Sequence, residues 1–238
     1  MTPRKPLQQV LAGDPGLSIL LLSLVLVLFV IYPMVHLEAA GKVWLAAFQS
    51  AVLVGGGLSV AATPRLRRLA LVLATVAVIT LWLGEISPGH WAGVVCRTSL
   101  IGFYGLTAVG ILAKVFRPGP VTGHRLQGAI AVYLLLGLTF GIGFGLFETL
   151  NPGSFRATHG LPSVEADLIY FSFVTLTTVG YGDITPVDPA MRSLALFEAV
   201  LGQFFLAVLI ARLVALGLMP RPVEEEGRKA PSSQPIDP

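Results

Sequence analysis

Six long apolar stretches, at 17–36, 43–62, 69–84, 91–116, 127–150 and 189–218, dominate this chain of 238 residues. Crossing about 30 Å of hydrocarbon takes roughly 20 apolar residues in a helix, which satisfies its own backbone hydrogen bonds where water cannot. The chain is 54% hydrophobic and 12% charged, against about 25% charged in soluble domains, and its mean hydropathy is +0.79. A soluble multidomain protein is excluded. The pattern predicts an all-α membrane protein with six transmembrane helices, in contact with membrane lipids. A net charge of +3 is too small to point to nucleic acid. Cys96 is the only cysteine, so no intrachain disulfide forms. His36, His90, His124 and His159 are scattered and are expected in solvated loops. No nucleotide-binding fingerprint, metal-ligand cluster or heptad array occurs, and neither an enzymatic site nor a cofactor is expected.

The first stretch exceeds the roughly 7–15 apolar residues of a signal peptide, which favours a retained helix over a cleaved leader. The second holds Gly55-Gly56-Gly57, suited to close helix packing in lipid, and Thr63-Pro64 ends it. The third runs into a loop from Glu85 to His90, and Arg97 interrupts the fourth. If the helices simply alternate, twelve of the sixteen Lys and Arg residues, among them Arg65, Arg67, Arg68, Lys114 and Arg117, fall on one side, leaving Lys42, Arg97, Arg156 and Arg192 on the other. The richer side is then cytoplasmic. Both termini are expected there, with the chain in the cell membrane and the turns holding Glu38, Glu85, Glu148, Glu165 and Asp167 outside. The tail 220–238, with five prolines and Glu224-Glu225-Glu226, has the composition of a disordered segment.

Between the fifth and sixth stretches lies a Gly, Pro and Ser loop, Asn151–Ser163, followed by Val164–Thr177. This last segment is too short to span and suits a re-entrant helix enclosed by protein. Its C-terminal end would present the partial negative charge of the helix dipole, which favours a cation. Immediately after it stands Thr178-Val179-Gly180-Tyr181-Gly182, in which two glycines alternate with larger residues. Carbonyls on an ordinary strand alternate in direction. Pointing successive carbonyls one way requires backbone turns that Gly180 and Gly182, lacking a Cβ, make readily. Rings of such carbonyls replace an ion's water shell in selectivity filters, while Val179 and Tyr181 would brace the loop from behind.

The nine residues Thr175–Asp183 resemble the signature of the tetrameric potassium channels at every defining position. One pore loop per chain implies a homotetramer, with K⁺ as the permeant ion held by carbonyls of Thr178, Val179, Gly180, Tyr181 and Gly182. By the same resemblance Tyr170 hydrogen-bonds Asp183 and holds the loop taut; the alternative for Tyr170 is plain packing with Phe171 and Phe173. Val174 stands where some bacterial relatives carry a glutamate, and that carboxyl is absent here. Gly202 is either a hinge or a point of close helix approach. The family's register turns Phe204, Leu206, Ile210, Ala211 and Val214 towards the axis and Arg212 aside, so Gly202, Leu206, Ile210 and Val214 are the candidate gate. Glu198, ionisable within an apolar stretch, is either a strut beside the filter or a group near the outer interface.

The resemblance covers 125–218, and 17–116 only in helix count. A voltage-sensing helix needs several arginines at every third position, whereas 91–113 holds Arg97 alone. The expected organisation is a cytoplasmic segment 1–16, a four-helix bundle 17–116 acting as scaffold or lipid-facing collar, a pore domain 117–219 and the tail 220–238. Two functions fit: a passive potassium channel of unknown gating stimulus, and a non-conducting membrane scaffold or accessory subunit that keeps a pore fold.

Overall fold

The computed structural model describes residues 15–31, 46–53, 56, 64–86, 89–116, 123–158 and 166–217. Helix α1 is Pro15–Leu26, continued by one π-helical turn, Val27–Ile31. Residues 46–53 are helical. They are followed by α2 (Pro64–Ile86), α3 (His90–Val115), α4 (Gly123–Leu150), strand β1 (Phe155–Ala157), α5 (Asp167–Leu176), strand β2 (Ile184–Pro186) and α6 (Pro189–Gly217). Four of these helices are long and apolar enough to cross a membrane: α2, α3, α4 and α6. The first expected span is represented by α1 and its π turn. The second lies largely outside the described residues, as do the segments 1–14 and 218–238.

Helix starts follow local chemistry. Pro15, Pro64 and Pro189 open α1, α2 and α6, where proline's fixed φ suits the helix and its missing N–H costs nothing. Asp188 caps α6, its Oδ1 accepting from the backbone N–H of Ala190 at 2.7 Å. Helix α2 begins earlier than the apolar stretch at 69, because Arg65, Arg67 and Arg68 are good helix formers that merely lie beyond the hydrocarbon. The expected Glu85–His90 loop is correspondingly shorter, with the helices running through Ile86 and from His90. His90 and His124 therefore sit at helix starts, not in loops; His36 and His159 lie outside the described residues.

One core joins the amino-terminal helices to α4. Leu20 and Leu24 of α1, Phe103, Tyr104 and Ile111 of α3, and Val132, Leu135 and Leu138 of α4 are buried together. Helix α2 buries Ala70, Ala74 and Ala77 in this core, with Leu73, Val78 and Leu81 packed against it half-buried, and the small residues let its backbone lie close to α3. Others of its large residues, Leu69, Val72, Ile79 and Leu83, are exposed, as suits a helix solvated by lipid. Cys96 is buried within α3.

A second cluster closes the opposite end of α4. Phe144, Phe155 and Phe171 meet edge to face, with ring centroids 5.2 to 5.5 Å apart. They tie α4 to α5 and to an antiparallel ribbon pairing Phe155 with Pro186 and Ala157 with Ile184. The fold is mostly helical as expected, and this ribbon of two three-residue strands is an addition to it; β1 falls within the loop expected over Asn151–Ser163, of which 159–163 lie outside the described residues. Glu148 is buried in the last turn of α4, where its carboxylate accepts from the backbone N–H groups of Gly153 and Phe155 at 2.8 and 3.1 Å. Those contacts fix the turn that delivers β1.

Candidate functional site

Helix α5 is ten residues long, roughly 15 Å at 1.5 Å per residue, and cannot span a bilayer. It lies between α4 and α6. Close approach to α4 depends on Gly141, where an added Cβ would stand 2.8 Å from the Ile169 Cα.

The chain leaves α5 by folding back on its C-terminus. The N–H groups of Thr178, Val179 and Gly180 donate to carbonyls of Thr175 and Val174, at 2.9, 2.9 and 3.3 Å. Among the described residues, the carbonyls of Thr178 to Gly182 accept no backbone hydrogen bond. Positive φ recurs at alternate residues: Thr178 at 59°, Gly180 at 61° and Gly182 at 78°. Alternating handedness cancels the flip between successive peptides of a strand and so keeps successive carbonyls to one side. The two glycines were expected to do this, but Thr178 was not. A β-branched residue at positive φ is a genuine outlier and persists only where its surroundings determine it. Gln203 Nε2 of α6 lies 3.4 Å from Thr178 Oγ1.

Val179 and Tyr181 are exposed in the single chain. Together with Tyr170, Phe173, Val174 and Phe29 they line a cavity of about 590 Å³. The carboxylate of Asp183 is held from two sides, Tyr170 Oη donating to Oδ2 at 2.8 Å and the Ile184 N–H to Oδ1 at 3.1 Å. Its carbonyl accepts from the backbone N–H and hydroxyl of Thr158, at 2.9 and 3.0 Å. Of the two arrangements open to Tyr170, the hydrogen-bonded one is present, while Phe171 packs into the second cluster with Phe144 and Phe155.

Glu198 is fully buried and faces α5, its Oε1 2.5 Å from Ser172 Oγ. Ser172 escaped notice in the sequence, although a small polar residue between Phe171 and Phe173 was a usable signal. Gly202 is buried against Leu176, where a Cβ would meet the carbonyl oxygen at 2.5 Å. Close approach is thus a sufficient reason for this glycine. Ile210 and Val214 are exposed in the single chain and Leu206 is half-buried. Arg212 turns away from that face, its guanidinium 4.7 Å above the Phe116 ring at the end of α3. No group of His, Cys, Asp and Glu among the described residues could hold a metal ion.

Four helices long and apolar enough to cross a membrane indicate a multi-pass membrane protein, and an ion-channel family model matches residues 132–217, which hold the ten-residue helix, the loop and the long helices flanking them. Protein LctB of Bacillus caldotenax is 36% identical over 126 residues, covering 49% of this chain and 93% of that protein. Two pore potassium channel c of Oryza sativa subsp. japonica is 36% identical over 86 residues, or 36% of this chain and 17% of the relative. Inward rectifier potassium channel Kirbac3.1 of Paramagnetospirillum magnetotacticum is 30% identical over 88 residues, or 35% and 26%. This chain shares a family with protein LctB, and its ion-channel region is similar to proteins named potassium channels. It spans about a fifth of the length of the plant relatives it matches, 17%, 22% and 18% for three of them. No solved structure matches it.

Proposed function

We propose that four copies of this chain form a K⁺-selective, passively conducting pore in the cell membrane, each with six transmembrane helices and both termini cytoplasmic. The observation that carries the reading is the run of unpaired carbonyls from Thr178 to Gly182 with positive φ at every second residue. Such carbonyls can replace the water shell of K⁺ only when they surround it, and one loop per chain requires four chains. Tyr170 and Asp183 hold the loop from behind. The exposed apolar face of α6, with Phe197, Val200 and Phe204, is available to neighbouring copies and to lipid. Purified protein in liposomes should pass K⁺ and exclude Na⁺, and should run as a tetramer by native mass measurement. Absence of K⁺ flux from a folded tetramer would favour the scaffold reading instead.

The charge distribution predicts little intrinsic voltage dependence. Residues 91–113 carry Arg97 alone, so a tetramer moves at most about four charges, worth ~9 kcal/mol per 100 mV if each crossed the whole field. Current recordings should give a shallow conductance–voltage relation. A steep, saturating curve without blocking ions would contradict this.

The gate is assigned to α6 below Gly202, at Leu206, Ile210 and Val214, where a narrow apolar ring closes by dewetting. Asn introduced at Ile210 or Val214 should keep the constriction wet and raise basal open probability. If neither variant changes it, the gate lies at the filter.

A further inference from the structure

Ser172 Oγ lies 2.7 Å from the Gly137 carbonyl oxygen and 2.5 Å from Glu198 Oε1. A serine hydroxyl carries one proton and can donate to only one of these oxygens. A carbonyl has no proton to offer, so the second proton of the chain must come from the carboxyl. The other carboxyl oxygen, Oε2, is buried with no hydrogen-bond partner. An ionised carboxylate in that position would leave a charged oxygen bare at membrane depth, whereas a neutral acid leaves only a carbonyl. Groups facing Glu198 are few: Ser172 on α5 is uncharged, and the titratable neighbour on α4 is Tyr133, whose hydroxyl lies 3.3 Å from the Leu176 carbonyl oxygen. Among the described residues, no cation is paired with either carboxyl oxygen.

We propose that Glu198 carries a proton at neutral pH and is a positioning residue, donating to Ser172, which donates in turn to Gly137, so that one proton chain fastens α5 to both α4 and α6. The fastening has a geometric counterpart one turn on: Ser172 and Leu176 on α5 meet Glu198 and Gly202 on α6, in steps of four residues on each helix. One rung is polar and the other steric. Both lie just before Thr178, so the loop's starting point is set by this seam. On the channel reading, on which this part rests, removing the proton loosens the base of the filter and lowers K⁺ flux at alkaline pH.

The test has a spectroscopic arm and a flux arm. Infrared difference spectra of the purified, membrane-reconstituted protein at neutral pH should show a protonated carboxylic acid carbonyl band that is lost in Glu198→Gln and shifted to higher frequency in Ser172→Ala. Glu198→Gln keeps the shape and a donor, so it should assemble, conduct, and lose the alkaline decline; Glu198→Ala should lower flux about tenfold, the scale of one buried hydrogen bond lost. An unchanged band in Glu198→Gln, or a Gln variant that fails to assemble, overturns the proposal. If the native protein passes no ions, the channel reading fails while the infrared arm still decides the protonation.

Discussion

Gly180→Ala abolishes K⁺ over Na⁺ selectivity or prevents assembly. Gly180 holds φ at 61°, and a residue with a Cβ pays roughly 1–2 kcal/mol for that conformation. In the proposed tetramer four copies raise this to about 4–8 kcal/mol, enough to favour a rearranged loop over the native one. Within the single chain no atom beyond the adjacent residues lies within 4 Å of the added methyl. The effect therefore comes from backbone strain and from crowding by other copies, and a protomer that still folds is expected. Flux ratios for K⁺ and Na⁺ in liposomes, with native mass of the assembly, check it. A variant that stays tetrameric and fully selective would show that positive φ at this residue is not needed.

The second large effect is expected at Gly202, where packing and hinge readings separate. An alanine Cβ would stand 2.5 Å from the Leu176 carbonyl oxygen and 2.8 Å from Leu176 Cδ1. Backbone atoms cannot yield as a flexible side chain does, so α6 or the end of α5 must move. Overpacking of this kind costs about 1–3 kcal/mol per chain. Gly202→Ala should lower the melting temperature of the solubilised protein and reduce conduction together. If the glycine served only as a hinge, melting would be unchanged and only the open probability would fall.

Much of the long-helix framework was legible because apolar runs of about 20 residues leave few alternatives in a bilayer. Helix ends were less legible: Arg65, Arg67 and Arg68 read as a loop to hydropathy, yet they continue α2. The β1–β2 ribbon was hidden because three residues per strand carry no periodicity, and Phe155 stands among loop-forming residues. At the loop itself, glycine announced positive φ at 180 and 182, whereas Thr178 gave the opposite signal, since a β-branched residue disfavours it. Tyr170 and Asp183 were reached by resemblance, which the 2.8 Å contact now gives a geometry. Glu198 stood out as a carboxyl in an apolar run; its partner Ser172 is supplied by another helix, and no local pattern encodes that pairing. The fusion of α1 and α3 with α4 into one core was likewise invisible, because a helix apolar on every face does not declare which side meets protein.

The central claim is that the carbonyls of Thr178 to Gly182 select K⁺ over Na⁺. Its most direct test is the reversal potential of currents through the reconstituted native protein, with K⁺ on one side of the bilayer and Na⁺ on the other. The account predicts a large displacement from zero, in the sense of K⁺ carrying nearly all the current. A reversal potential near zero, with comparable currents in both directions, would contradict it.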